Sequence, residues 1–190
     1  MTPARLPFAA LALGAIIVAV AFAAPYSSPA FDALVLDRAD AKPWAWLTAH
    51  LLHTDASHVG WNVFALVCLG TLAEPIDRTR FVVSIVVGIA AVDVWFVAFD
   101  PSLRFYCGLS GALNTVLLAT LYALRGTIAT PWLIGVAAIA AAKVGWEWHS
   151  GVAFLTHTRW PSAVGAHVAG FAAGIVLDSA YAWRDRARGV

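Results

Sequence analysis

Ser110 lies between Gly108 and Gly111, where the polar turn around Arg104 gives way to an apolar run. A hydroxyl at the mouth of a helix sits among unpaired backbone N–H groups, the positive end of the peptide dipoles. Such groups can stabilise the negative oxygen that forms during acyl transfer. Serine is inert at its own pKa and needs a base, and a neutral His167 can take its proton. His58 and Asn62 are four residues apart and share one face of a helix. With the Ser110 backbone N–H, the His58 imidazole and the Asn62 amide are candidate oxyanion donors. No carboxylate is evidently placed to orient His167. The spacing therefore predicts a two-residue dyad, with the imidazole held by packing and by an aromatic such as Tyr106. Cys107 is a second nucleophile candidate beside Ser110, and the serine is preferred.

These side chains lie far apart in sequence, so close helix packing must bring them together. Gly170 and Gly174 follow His167 at i+3 and i+7 and form one smooth stripe. Gly111, Ala112, Asn114 and Thr115 extend a small surface beside Ser110. Small faces let two membrane helices approach closely. Plain helix packing with satisfied polar residues accounts for the same residue types as readily, and at this point both readings stand.

Composition says where that packing happens. Of 190 residues 61% are hydrophobic and 12% charged, a balance that describes a polytopic membrane protein rather than a soluble domain. The net charge is +1, and the only basic cluster is Arg184, Arg186 and Arg188. That cluster reads as a cytoplasmic flank, which argues against a nucleic-acid partner. Cys68 and Cys107 fall at different depths and are not expected to form a disulfide.

Six spans are expected: 6–24, 58–73, 81–99, 110–124, 131–148 and 163–183. The first resembles a signal peptide at Ala21-Phe22-Ala23-Ala24 but is long for one, and reads as a membrane helix. Residues 25–57 form a long loop with Trp44 and Trp46, and Trp61 follows at the next helix start. Indole rings favour the headgroup layer, so the loop is expected to lie in the membrane surface. Glu74-Pro75 is expected to end the second span, and no linker or repeat divides residues 1–190.

Basic residues set the orientation. With the N-terminus inside, Arg5, Arg78, Arg80, Arg125, Arg184, Arg186 and Arg188 are cytoplasmic, while Arg38, Lys42, Arg104 and Arg159 are outside. Spans two, four and six then enter from the outer face, and His58, Asn62, Ser110 and His167 share one depth. Polar groups at that depth must face the bundle interior or water, which marks a functional site.

His50, His53 and His58 lack the spacing of a zinc protease, so no metal and no cofactor is expected. Loop hydrogen bonding suits them better, and His149 and His157 are expected to be solvated. Lys143 and Glu147 form an i,i+4 pair near the end of span five, expected to be structural. Asp93 has no evident role.

Gly108-Leu109-Ser110-Gly111, then His167 with Gly170 and Gly174, and the run from His53 to Asn62 together resemble the rhomboid family of intramembrane serine proteases. The resemblance runs in order from the first loop to the last span. It implies a single all-α rhomboid-like domain, a six-helix bundle with a membrane-associated first loop. It also implies Ser110 as nucleophile, His167 as base, and His58 and Asn62 at the oxyanion. His53 matches a structural histidine of the first loop, and Glu74 a carboxylate at the foot of the second helix. The chain departs from the family in one place: Trp44 is followed by Ala45, where family members often carry Trp-Arg. The Tyr106-Cys107 lead-in is similar to the bacterial rhombosortase branch, associated with C-terminal Gly-Gly sorting tails.

The expected function is cleavage of single-span membrane proteins near the outer face of a bacterial inner membrane, both termini cytoplasmic. Two rivals are an inactive relative that binds transmembrane helices and a small transporter. The first should lack nucleophile or base. The second should show repeated halves or broken helices.

Overall fold

The computed structural model describes residues 6–154, 160 and 162–189; Arg5, His157, Arg159 and Pro161 lie outside them. Seven helices follow in order: α1 Phe8–Ala23, α2 Pro29–Leu34, α3 Ala45–Thr48, α4 Ala56–Ala98, α5 Ser110–Ala123, α6 Thr130–Ser150 and α7 Val164–Ala187. Helix α4 has 43 residues. Drawn straight it would be about 65 Å long, twice the roughly 30 Å hydrocarbon core of a bilayer. It bends instead at Asp77, whose backbone leaves the helix at φ −151°, ψ 87°.

The bend corrects the expected stop at Glu74-Pro75. Proline lacks an N–H and its ring crowds the carbonyl four residues back, yet the helix continues past Pro75 and breaks two residues later. Asp77 then caps the second limb, its Oδ1 accepting the Arg80 N–H at 2.9 Å. Glu74 is buried and serves a different helix. It accepts the Ala9 N–H at 3.1 Å and the Ala10 N–H at 2.7 Å, the first amides of α1, which no nearer side chain caps. The Arg78 guanidinium holds it at 3.1 Å.

Helix α5 is the centre, with α4 and α7 packed along it and buried residues all round. One core cluster joins α1, α4 and α5 through Ile17, Leu66, Phe81 and Val116. A second joins the first loop to α4 and α7 through Leu36, Ala45, Phe96 and Ala166. Large apolar side chains also cover the outside, among them Phe64, Ile139, Val176, Trp132, Trp146 and Trp183. Water would not tolerate that surface over so much of a small protein, whereas lipid requires it. Both α4 and α7 are long and apolar enough to cross a membrane, and α1 and α5 are shorter apolar helices.

Residues 25–55 are structured. Leu36–Asp37 pairs antiparallel with Phe105–Tyr106, a two-residue ladder that a purely helical expectation omits. Arg38 reaches the end of α4, donating to the carbonyls of Phe96, Leu103 (3.0 Å) and Asp100 (2.8 Å), with its guanidinium over the Phe96 ring. Trp44 donates to the Ala33 carbonyl at 2.9 Å, and Thr48 to that of Leu34 at 2.7 Å. Ala45 is fully buried against this cluster.

Candidate active site

The segment before Ser110 is held in an unusual backbone shape. Gly108 has φ +110°, a region that only glycine enters at low cost. Its N–H donates to the Ala49 carbonyl at 3.0 Å, and its own carbonyl accepts the Tyr106 hydroxyl at 2.7 Å. A methyl group on Gly108 would lie 2.8 Å from the His58 ring, so the absent side chain also makes room for that imidazole. Ser110 is the first residue of α5, and no side chain caps that helix start. Its first amides therefore remain available to a ligand.

The distance between Ser110 and His167 is set one turn below them. A Cβ on Gly170 would fall 1.8 Å from the Gly111 carbonyl oxygen, and one on Gly111 would lie 2.9 Å from that of Ala166. Only glycine permits α5 and α7 to cross so closely. Thr115 fixes the crossing by donating its hydroxyl to the Gly170 carbonyl at 2.7 Å. Gly174 clears Leu118 in the same way. With the helices thus apposed, Ser110 Oγ stands 2.8 Å from His167 Nε2.

The other ring nitrogen faces a carboxylate. His167 Nδ1 is 2.7 Å from Glu147 Oε2, and Glu147 is fully buried. An ionised carboxylate can only accept, so Nδ1 carries the proton and Nε2 is left to accept from the serine hydroxyl. Oε1 of Glu147 accepts Lys143 Nζ at 2.8 Å and the Phe154 N–H at 2.7 Å. Glu147 is thus a carboxylate beside His167, which corrects the expectation that none is placed there. The clue was topological. Glu147 lies one turn before the end of α6 and His167 one turn into α7, the next helix along the chain, which puts the two at one level. The expected Lys143 pair accounted for only one of the two carboxylate oxygens. Tyr106, proposed as a support for His167, uses its hydroxyl on Gly108 instead.

His58 and Asn62 open α4, which Asp55 caps by accepting the His58 N–H at 2.9 Å. The Asn62 amide donates to the His58 carbonyl at 2.8 Å. Asn62 Oδ1 and His58 Nδ1 are buried without a partner among the described residues. His53 packs edge-on against His58, ring centroids 4.6 Å apart, and donates Nδ1–H to the Leu51 carbonyl at 3.2 Å. Burial, reinforced by the neighbouring His58, pushes the His53 imidazole down to about 3, so it stays neutral near pH 7. His50 bonds Asp93 at 3.1 Å, which gives that acid a partner the sequence did not reveal. His149 is exposed at the end of α6.

Two spaces meet at Ser110 and His167. One is a cavity of about 40 Å³ lined by Thr54, His58, Tyr106, Cys107, Ser110 and His167, enough for a water molecule. The other is an apolar groove of about 320 Å³ between α4 and α6, with α5 as its floor. Cys107 shares the small cavity, but its apolar surroundings push the thiol up to about 12. Almost no thiolate exists near neutral pH, which disfavours it as nucleophile.

Fold and site together describe a helical membrane protein with a hydroxyl, an imidazole and a carboxylate in hydrogen-bonded series. The rhomboid-domain family model matches residues 40–184, so the chain belongs to the rhomboid family, whose members are generally intramembrane serine proteases. Comparison with curated proteins gives no match.

Proposed function

We propose that the chain is an active intramembrane serine endopeptidase with Ser110 as nucleophile and His167 as general base. One observation carries this reading: the 2.8 Å contact between Ser110 Oγ and His167 Nε2 beside a cavity able to hold water. In the first step the Ser110 proton passes to Nε2 while Oγ bonds to the scissile carbonyl carbon. The Ser110 amide and the side chains of His58 and Asn62 face the oxygen that becomes negative. His167 then returns the proton to the departing amine nitrogen. A water molecule from the cavity, deprotonated by the same imidazole, hydrolyses the acyl-enzyme.

The substrate is a single membrane-spanning segment that enters along the groove between α4 and α6. A bond within a helix is shielded by its own hydrogen bonding, so weak helix formers near the cut favour cleavage. The Tyr106-Cys107 lead-in to Ser110 supports a Gly-Gly sorting tail and the rhombosortase branch. The bundle acts as one domain with six spans. The two limbs of α4 count separately, and the loop 25–55 lies at the membrane surface. The balance of basic residues favours cytoplasmic termini and a site open to the periplasmic face of a bacterial inner membrane.

The test uses purified wild type, Ser110→Ala and His167→Ala with a tagged transmembrane substrate and a fluorophosphonate probe. Wild type should cleave and take up the probe, and both variants should do neither. Undiminished cleavage by either variant removes the mechanism. Equal or better cutting of an ordinary single-span substrate than of a Gly-Gly tail removes the branch assignment.

A further inference from the structure

We propose that Glu147 is a positioning residue that turns the serine–histidine pair into a serine–histidine–glutamate triad; this rests on the protease reading above. The geometry has three parts. Oε2 lies 2.7 Å from His167 Nδ1, the nitrogen that does not face Ser110. Oε1 is occupied by Lys143 Nζ and by the Phe154 amide, so the carboxylate cannot rotate away without breaking two bonds. The whole residue is buried, where an unpaired carboxylate would be costly.

The contact does two things. It fixes the tautomer with the proton on Nδ1, the only neutral form whose Nε2 can accept from a serine. It also stabilises the imidazolium that exists while the proton rests on His167. No proton moves to Glu147, which acts by charge and direction alone. Among the described residues, the ionisable and nucleophilic groups that line the two spaces with His167 include Ser110 on α5, His58 on α4, Lys143 on α6, and Tyr106 and Cys107 ahead of α5. None of them is a carboxylate. Glu147 comes from α6, one wall of the groove, so the same helix that borders the substrate path also sets the base.

The experiment takes the full chain in detergent and compares wild type with Glu147→Gln, Ser110→Ala and His167→Ala. It reads kcat and KM on a tagged transmembrane substrate, and the low-field imidazole N–H proton resonance by NMR. Glu147→Gln should lower kcat by about 10²–10⁴-fold with KM nearly unchanged, since a neutral amide neither fixes the tautomer nor balances the charge. The low-field resonance should be present in wild type and Ser110→Ala, and absent from Glu147→Gln and His167→Ala. A Glu147→Gln enzyme within about twofold of wild-type kcat overturns the proposal. So does a wild type without the resonance, a result that needs no folded variant. Fluorophosphonate labelling of wild type but not Ser110→Ala upholds the protease reading whatever Glu147 does. A wild type that neither labels nor cleaves takes both down.

Discussion

Helices α5 and α7 carry a polar cluster at each end, where they meet the start and the bend of α4, and the two clusters are built differently. At the far end of α5 from Ser110, Arg80 lies between the rings of Tyr122 and Tyr181, 4.5 and 4.2 Å from their centroids. Tyr122 donates its hydroxyl to Asp185 at 2.9 Å, and Asp185 also faces Arg80. That cluster joins permanent charges to aromatic faces and ties helix ends together. At the Ser110 end the central group is an imidazole with one nitrogen on a carboxylate and the other on a hydroxyl. Both ends leave buried polar atoms without hydrogen bonds among the described residues: Asn62 Oδ1 and His58 Nδ1 at one, Asp178 Oδ1 and Arg80 Nε at the other. Unsatisfied atoms therefore do not distinguish the two ends. An imidazole nitrogen aimed at a hydroxyl beside a water-sized cavity does.

The sharpest way to break this contrast is to remove function at one end and not the other. Ser110→Ala or His167→Ala should reduce cleavage by at least about 10³-fold, and Ser110→Ala should leave the melting temperature near that of wild type. Tyr122→Phe should leave cleavage unchanged; if it cost as much as Ser110→Ala, the contrast would be wrong. Next in size is the crossing that joins α5 to α7. Gly170→Val should cost about 3 kcal/mol or more, because its side chain would collide with the Gly111 carbonyl. The folded fraction after detergent extraction measures this, and a stable, active Gly170→Val would mean the helices can part without loss.

Acid should separate the ends further. The unfolded His53 binds a proton below pH 6.5, whereas in the folded chain it resists until about 3. Protonation thus favours the unfolded state, and stability falls as pH drops below 6.5, by about 2 kcal/mol at pH 5. Asp55 and His58 are the titratable neighbours facing it. Thermal denaturation from pH 7 to pH 5 should show this slope in wild type and a shallower one in His53→Gln. Smallest is Tyr122→Phe itself, which should lower stability by about 1 kcal/mol through the lost bond to Asp185. A melting curve measures it.

Much of this contrast can be read along the chain because membrane helices announce themselves as apolar runs. The starts of α4, α5 and α7, and with them His58, Ser110 and His167, follow from where those runs begin. Gly170 and Gly174 were visible as a stripe, since their spacing lies within one helix. What escaped depends on contacts between helices. Gly88 clears the Ala112 backbone and Gly165 clears the Trp95 ring, yet neither belongs to a pattern in its own segment. Glu147 was hidden because its nearer partner, Lys143, already explained it. Pro75 misled for a local reason: a proline predicts a break near itself, and the break came at the next residue able to cap a new helix.

Glu74 has a consequence for how the chain is made. The amides it receives belong to residues 64 and 65 positions earlier. On the ribosome, the opening turn of the first helix is synthesised long before the side chain that completes it. Until the first limb of α4 has emerged, those amides must rely on lipid headgroups or on the insertion machinery. A chain arrested before that limb has left the ribosome should therefore exchange the leading amide protons of α1 freely, and one long enough to release it should protect them.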